Sequence, residues 1–129
     1  MNSIDLSFTN IEIHDGYVVG RTCEGVNMSI DNHRKVTETI SQHLEEPYGL
    51  IIDEVNKYSI DLQVFHSIRD DPAILCIGVV CYRKSTKIAL SLGESLIKKP
   101  IFYSDSLQEV KQWMKMQTGS SLNSPNKYE

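Results

Sequence analysis

The sequence predicts an α/β domain in which a short N-terminal β-hairpin precedes alternating helices and strands. Residues 73–81 carry no charge and do not alternate with polar residues, which is typical of a strand buried on both faces of a sheet. A helical pattern separates this strand from an apolar strand at 101–103, so the two form a parallel pair joined by a helix. The Asp-Gly dipeptide at positions 15 and 16 lies between two alternating runs and marks the hairpin.

The hairpin is predicted to have a type I′ turn, because Asp-Gly suits the positive φ that both central residues of that turn adopt. Such a turn pairs Ile13 with Val18 and Glu12 with Val19. Residues 4–8 are expected to lead into the hairpin as an extended segment.

The first helix is predicted to run from Ser29 or Asp31, either of which can cap it, to Leu44. Apolar residues recur every four positions along it, which places them on one stripe. Pro47 then prevents its continuation, and a short apolar strand follows at 48–53.

The second helix is predicted at 59–69, and the long uncharged strand extends to Tyr82. A third helix is expected at 85–97. The last helix follows the strand at 101–103, with a capping box that starts at Asp105 or at Ser106.

These elements follow the order hairpin, then α-β-α-β-α-β-α. Such alternation predicts a mostly parallel sheet of four or five strands with right-handed crossovers. We expect residues 1–116 to form one domain and the polar residues 117–129 to form a disordered tail.

Composition excludes several classes of protein. The net charge of −4 argues against a nucleic-acid surface, which needs clustered Lys and Arg. No apolar run reaches the roughly 20 residues of a membrane-spanning helix, so we expect no membrane insertion. The N-terminus has no basic and apolar leader, and the three cysteines form no close pair, so we expect reduced thiols in a cytoplasmic protein.

The chain resembles the SpoIIAA-like group of the STAS fold, which includes anti-sigma factor antagonists and bacterial STAS/SEC14 domains. The resemblance covers roughly residues 4–116 and is carried by four local motifs. Lys84-Ser85-Thr86 opens a helix, and Phe102-Tyr103 ends a strand. Ser104-Asp105 then precedes the last helix, which closes on Trp113-Met114. The resemblance implies a non-enzymatic regulatory domain that binds another protein.

The resemblance also implies a place for phosphorylation. In the anti-sigma factor antagonists, a serine at the start of the second crossover helix is phosphorylated to control partner binding. The corresponding residue here is Ser59, although the flanking Asp-Ser and the following Gly of that motif are absent. A phosphate at a helix start would meet free N–H groups, but the Ser59 hydroxyl could equally serve as the helix cap.

Basic and hydroxyl residues follow the long strand. Arg83 and Lys84 precede the third helix together with Ser85 and Thr86, at the edge of a parallel sheet where ligands bind. They could hold an anion, or they could pair with Asp53 and Glu54 at the end of the neighbouring strand.

We expect no enzyme, metal or cofactor. The four histidines lie in different elements without ligand spacing, and no nucleophile elbow or glycine-rich phosphate loop is present.

Partner binding is expected at the edge where the strands meet the second and third helices, around residues 53–60, which include Asp53 and Tyr58, and residues 82–86, which include Arg83. A homodimer is a corollary, because Tyr17, Val19 and Tyr58 are expected to be under-covered in a monomer.

The alternative function is binding of a small apolar ligand or lipid between the sheet and the helices. It requires a pocket of a few hundred Å³. The expected lining residues are Phe65, Ile68, Ile88 and Leu92.

Overall fold

The computed structural model describes residues 2–83 and 93–119, which form a six-stranded sheet with helices packed on it. In spatial order the strands are β1 (Asn2–Asp5), β2 (Thr9–Ile13), β3 (Tyr17–Thr22), β5 (Tyr48–Asp53), β7 (Ile74–Val80) and β8 (Ile101–Ser104). A separate two-stranded sheet joins β4 (Asn27–Met28) to β6 (Ser59–Ile60). The helices are α1 (Ile30–Ser41), α2 (Leu62–Asp70) and α3 (Leu107–Thr118), and residues 93–97 are also helical.

The central sheet is mixed. Strands β1, β2 and β3 form an antiparallel meander, whereas β3, β5, β7 and β8 pair in parallel. The predicted α/β class is therefore confirmed, but the sheet has six strands rather than four or five. The additional strand is β1, whose mostly exposed polar residues carry no alternating apolar signal.

The hairpin register is as predicted, with Glu12 opposite Val19 and Ile13 opposite Val18. The predicted turn type is wrong. Gly16 has a φ of 85°, whereas Asp15 does not have a positive φ. Only one of the two central residues thus adopts the conformation that a type I′ turn requires of both.

Helices cover both faces of the sheet. The helices α1 and α2 pack on the face that carries Ile11, Val18 and Leu50. The helix α3 packs through Val110 and Met114 on the opposite face. Strand β7 lies between these layers, and all of its residues except Leu75 are buried, as the uncharged run predicts.

The burial of Tyr17 and Val19 corrects one expectation. Both side chains lie under α3 and are 5% and 0% exposed, so they are not under-covered in the monomer. Tyr58 is partly buried. Exposure of Tyr17 and Val19 can therefore not be used as an argument for the expected homodimer.

The contact between β7 and α3 depends on Gly78. A Cβ atom at this position would lie 2.5 Å from Cγ1 of Val110, a separation that real Cβ atoms do not show. Because Gly78 has no side chain, α3 packs directly against the strand backbone.

Gly78→Ala is expected to lower the free energy of unfolding by about 1–3 kcal/mol, since the added methyl overpacks this contact. Gly20→Ala is the matched control, because the nearest atom to its added methyl would be 4.0 Å away. Urea denaturation measures both changes. Equal stability of the two variants would contradict the close packing of α3 on β7.

The first two helices differ from their predicted bounds. Ser29 caps α1, accepting a hydrogen bond from the backbone N–H of Asn32 at 3.2 Å, but the helix ends at Ser41 and not at Leu44. The helix α2 begins at Leu62, because residues 59–60 pair with β4 and form β6. Ser59 is therefore not at a helix start, and the prediction that it caps α2 is wrong.

The last helix starts with the second of the two predicted caps. The Ser106 hydroxyl accepts a hydrogen bond from the backbone N–H of Glu109 at 3.2 Å. The helix α3 continues through Thr118, two residues beyond the predicted domain boundary, and ends at Gly119 with a φ of 70°. Most of the predicted third helix and of the predicted tail lies outside the described residues.

Candidate functional site

The carboxyl ends of β5 and β7 lie side by side, which is the place where parallel sheets bind ligands. The backbone N–H of Glu54 donates to the carbonyl of Val80 at 3.0 Å. This bond joins the start of the loop after β5 to the end of β7. Polar side chains from β3, from the end of β5 and from the loops after β5 and β7 meet here. We call them the carboxyl-edge cluster: Arg21, Asp53, Glu54, Tyr58, Tyr82 and Arg83.

Asp53 is the buried centre of one half of this cluster. Its side chain is 2% exposed. One carboxylate oxygen accepts from Nε of Arg21 at 2.7 Å, and the other accepts from the Tyr82 hydroxyl at 2.9 Å. The buried carboxylate therefore has a charged partner and a neutral donor, as a buried charge requires.

The pairing of β3 with β5 brings Arg21 to Asp53. Gly20 is opposite Ile52 in this pairing. The next residues of the two strands, Arg21 and Asp53, continue the same register. Arg21 also lies on the same face of β3 as Tyr17 and Val19, because side chains alternate along a strand. The guanidinium of Arg21 is thereby held at the rim of the α3 layer.

Glu12 extends this half of the cluster along β2. Its carboxylate accepts from Nη1 of Arg21 and contacts Nε2 of His14 at 3.2 Å. Burial alone would raise the pKa of Glu12, but the hydrogen bonds from Arg21 and His14 outweigh it and lower that pKa. The His14 ring stacks on Tyr17 with 4.6 Å between ring centroids.

Tyr82 is a fixed hydrogen-bond donor. Burial and the adjacent Asp53 carboxylate raise the pKa of Tyr82 to about 12, so its hydroxyl keeps its proton at neutral pH. Tyr82 as a residue is nevertheless 46% exposed. The cluster thus holds an exposed tyrosine in place by its hydroxyl group.

Glu54 is the centre of the other half of the cluster, and no ion pair joins it to another described residue. Its side chain is 4% exposed and hydrogen-bonds to the Tyr58 hydroxyl. Burial raises the pKa of Glu54 to about 7, although the Tyr58 hydrogen bond and the charge of Arg83 act in the opposite direction.

Two polar atoms in this half are unpaired. Among the described residues, Oε2 of Glu54 and Nε of Arg83 are buried and have no hydrogen-bond partner. Nη2 of Arg83 lies 3.5 Å from the backbone carbonyl oxygen of Glu54, which is a long contact. Glu54 and Arg83 are therefore neighbours without being a hydrogen-bonded ion pair.

Large apolar side chains are exposed around the cluster. Val55 is 43% exposed in the loop after β5, and Tyr82 is 46% exposed in the loop after β7. Leu62, at the first position of α2, is 63% exposed. Since α2 follows β5, its N-terminus faces the same edge of the sheet as these loops. Exposed apolar patches of this kind mark interaction sites.

The structure brings three of the sequence-predicted site residues together. Asp53, Tyr58 and Arg83 all contact or adjoin Glu54, whereas the cation bound to Asp53 is Arg21 and not Arg83. Arg21 is a cluster residue that was not predicted, and its signal in the sequence is a charged residue in phase with the buried Tyr17 and Val19.

The remaining predicted residues lie elsewhere. Ser59 is exposed, and its hydroxyl donates to Oδ1 of Asn27 at 2.8 Å. Lys84, Ser85 and Thr86 lie outside the described residues.

A cavity of about 60 Å³ lies between the sheet and the helices α1 and α2. Phe65 and Ile68 line it as expected, whereas Ile88 and Leu92 lie outside the described residues. Ligand pockets usually measure roughly 300–1,000 Å³. The part of this space that the described residues enclose is thus smaller than such a pocket.

Over residues 2–83 and 93–119, histidine, cysteine and acidic side chains do not form a group of three or more that could hold a metal ion. Within the same ranges, no helix has the length and apolar character needed to cross a membrane.

Comparison with known proteins supports the fold. No family model matches the sequence, and no curated protein matches it. The structure is similar to that of an uncharacterized protein of the DUF3478 family with a SpoIIAA-like fold from Shewanella loihica. The two share a TM-score of 0.59 and 9% sequence identity over 82% of this chain and 91% of that chain. The predicted SpoIIAA-like fold is confirmed, and at this identity the similarity concerns the fold alone.

Proposed function

We propose that this protein is a non-enzymatic cytoplasmic regulatory domain that binds another protein through the carboxyl edge of its sheet. The observation that carries the proposal is the exposure of Val55, Leu62 and Tyr82 around a buried polar cluster. The SpoIIAA-like fold is consistent with such a role. Cysteines in the described part of the chain form no disulfide, which is consistent with a reducing compartment.

The chemistry of this edge favours a protein partner. Tyrosine is enriched among the residues that dominate binding energy at protein interfaces. The Tyr82 hydroxyl is already bound to Asp53, so its ring loses little conformational freedom when a partner covers it. The partner is expected to contribute an apolar patch with polar residues around it.

Leu62→Glu is expected to reduce capture of the specific partner at least tenfold, because a charge replaces an apolar contact at the interface. Met116→Glu is the matched control, since Met116 is 73% exposed and lies near the end of α3, away from this edge. Quantitative mass spectrometry after affinity capture from the protein's own cells measures the effect. Equal recovery by Leu62→Glu and Met116→Glu would contradict the proposed interface.

A second copy of the chain could occupy the same surface, which would make the protein a homodimer. Light scattering of the purified protein across a concentration series distinguishes this outcome. Dissociation of a dimer by Leu62→Glu, with no other protein captured, would identify self-association as the function of the edge.

Phosphorylation of Ser59 is a further proposed means of regulation. A phosphate would break the hydrogen bond to Asn27 and introduce negative charge where β6 pairs with β4. Intact-mass measurement of protein purified from its own cells tests this proposal. Unmodified Ser59 under every growth condition would exclude it.

A further inference from the structure

Glu54 and Arg83 lie next to each other with complementary atoms that do not pair. The Glu54 side chain is 4% exposed, and its Oε2 has no hydrogen-bond partner among the described residues. Nε of Arg83 is buried and unpaired within the same part of the chain, and Nη2 lies 3.5 Å from the backbone carbonyl oxygen of Glu54. Unpaired buried polar atoms are rare in folded proteins and often indicate a second arrangement or a functional role.

The groups that face Glu54 determine which charge it can carry. The Tyr58 hydroxyl hydrogen-bonds to it from the same loop, and Arg83 faces it from the loop after β7. Asp53 is the adjacent anion, and its two oxygens are already bound to Arg21 and Tyr82. Among the described residues that face Glu54, Arg83 is therefore a cation that is not already bound to a carboxylate.

The observed arrangement suits the neutral form of Glu54. A carboxylic acid can remain buried beside a tyrosine hydroxyl, whereas an ionised carboxylate in the same place needs a charged donor. Arginine keeps its charge at every relevant pH and binds carboxylates through paired N–H donors. An ionised Glu54 would therefore favour direct contact with Arg83.

We propose that Glu54 and Arg83 form a proton-controlled switch within the partner-binding edge. When Glu54 releases its proton to solvent, the guanidinium of Arg83 moves from the backbone carbonyl of Glu54 to the carboxylate. The movement displaces Val55 and changes the surroundings of the Tyr82 backbone amide, because each is the chain neighbour of one of the two residues, while the Tyr82 hydroxyl stays bound to Asp53. This inference rests on the proposed function, since it describes how binding at that edge is regulated.

The switch is tested by nuclear magnetic resonance of the free protein, with amide spectra recorded between about pH 5 and about pH 9. The amide signals of Val55 and Tyr82 are expected to follow one titration step centred between about pH 6 and about pH 8. Glu54→Gln should remove this step, and Glu46→Gln, a change at an exposed carboxylate, should retain it. No step in the wild type, or the same step in Glu54→Gln, would overturn the proposal.

A second variant keeps the test independent of the folding of Glu54→Gln. Arg83→Gln removes the cation that stabilises the carboxylate, so the midpoint should rise by at least half a pH unit. An unchanged midpoint would also overturn the proposal. Because no partner is present, failure of the switch is distinguishable from failure of the proposed interface.

Discussion

Replacing Arg21 by methionine is expected to lower the free energy of unfolding by about 3–5 kcal/mol, the usual cost of removing one partner from a buried ion pair. Asp53 is 2% exposed, and among the described donors it would keep the Tyr82 hydroxyl alone. Methionine preserves much of the length and apolar contact of the arginine side chain, so the effect reports the lost charge. Urea denaturation at neutral pH measures it.

Two further variants show whether the pairing with Asp53 is the cause. Arg34→Met removes an ion pair with Asp31 whose side chains are 64% and 80% exposed, and it should cost under about 1 kcal/mol. Combining Arg21→Met with Asp53→Asn should restore part of the lost stability, because no unpaired charge then remains buried. Similar costs for Arg21→Met and Arg34→Met would show that the Asp53 pair is not effectively buried.

Glu54→Gln is expected to stabilise the protein at alkaline pH and to have little effect in acid. The pKa of Glu54 is about 7 in the folded protein, against 4.5 for an unperturbed glutamate. The folded state therefore binds the proton more tightly. Its stabilising contribution is complete below about pH 4.5 and is lost as pH rises through about 7.

The size of this loss follows from the same shift, because a change of one pKa unit corresponds to about 1.4 kcal/mol. The wild type should lose up to about 3 kcal/mol between acid and alkaline pH through Glu54 alone. Glutamine cannot ionise, so the variant should be more stable than the wild type by up to that amount at about pH 8.5, and nearly equal to it at about pH 4.5.

Denaturation of both proteins at the two pH values provides the measurement, with Glu46→Gln as the exposed control. A difference between Glu54→Gln and wild type that does not depend on pH would show that Glu54 ionises normally.

These two predictions separate the halves of the carboxyl-edge cluster. Arg21 and Tyr82 satisfy Asp53, which makes that half a fixed support for the exposed ring. Among the described residues, Oε2 of Glu54 has no hydrogen-bond partner, and burial raises the pKa of Glu54 to about 7, so we expect the other half to respond to pH. The half around Asp53 can therefore hold the binding surface in position, while ionisation of Glu54 in the other half changes the affinity for the partner.

Elements with strong local signals were predicted well from the sequence. Strand β5 has its predicted bounds, and β8 lies within one residue of them, because short apolar runs bounded by turn residues leave few alternatives. Ser29 and Ser106 start α1 and α3 because a hydroxyl placed before a helical pattern can bind a free N–H group. Periodicity and capping depend on neighbours along the chain, and those are visible in one sequence.

Elements that depend on distant pairing were not predictable in this way. Strands β4 and β6 have two residues each and pair across more than 30 positions, so neither has a period to detect. Their pairing moved the start of α2 to Leu62 and removed Ser59 from the helix start. Short strands of this kind form only when the rest of the fold brings them together.

The sequence by itself determined the α/β class, most of the principal strands and helices, and the position of Asp53, Tyr58 and Arg83 at one edge of the sheet. Only the tertiary structure decided that Arg21 pairs with Asp53 and that Glu54 is buried with its Oε2 unpaired among the described residues. The physical reason is that secondary structure follows from local periodicity. The charge state of a carboxyl group depends instead on burial and on donors that the fold brings from distant parts of the chain.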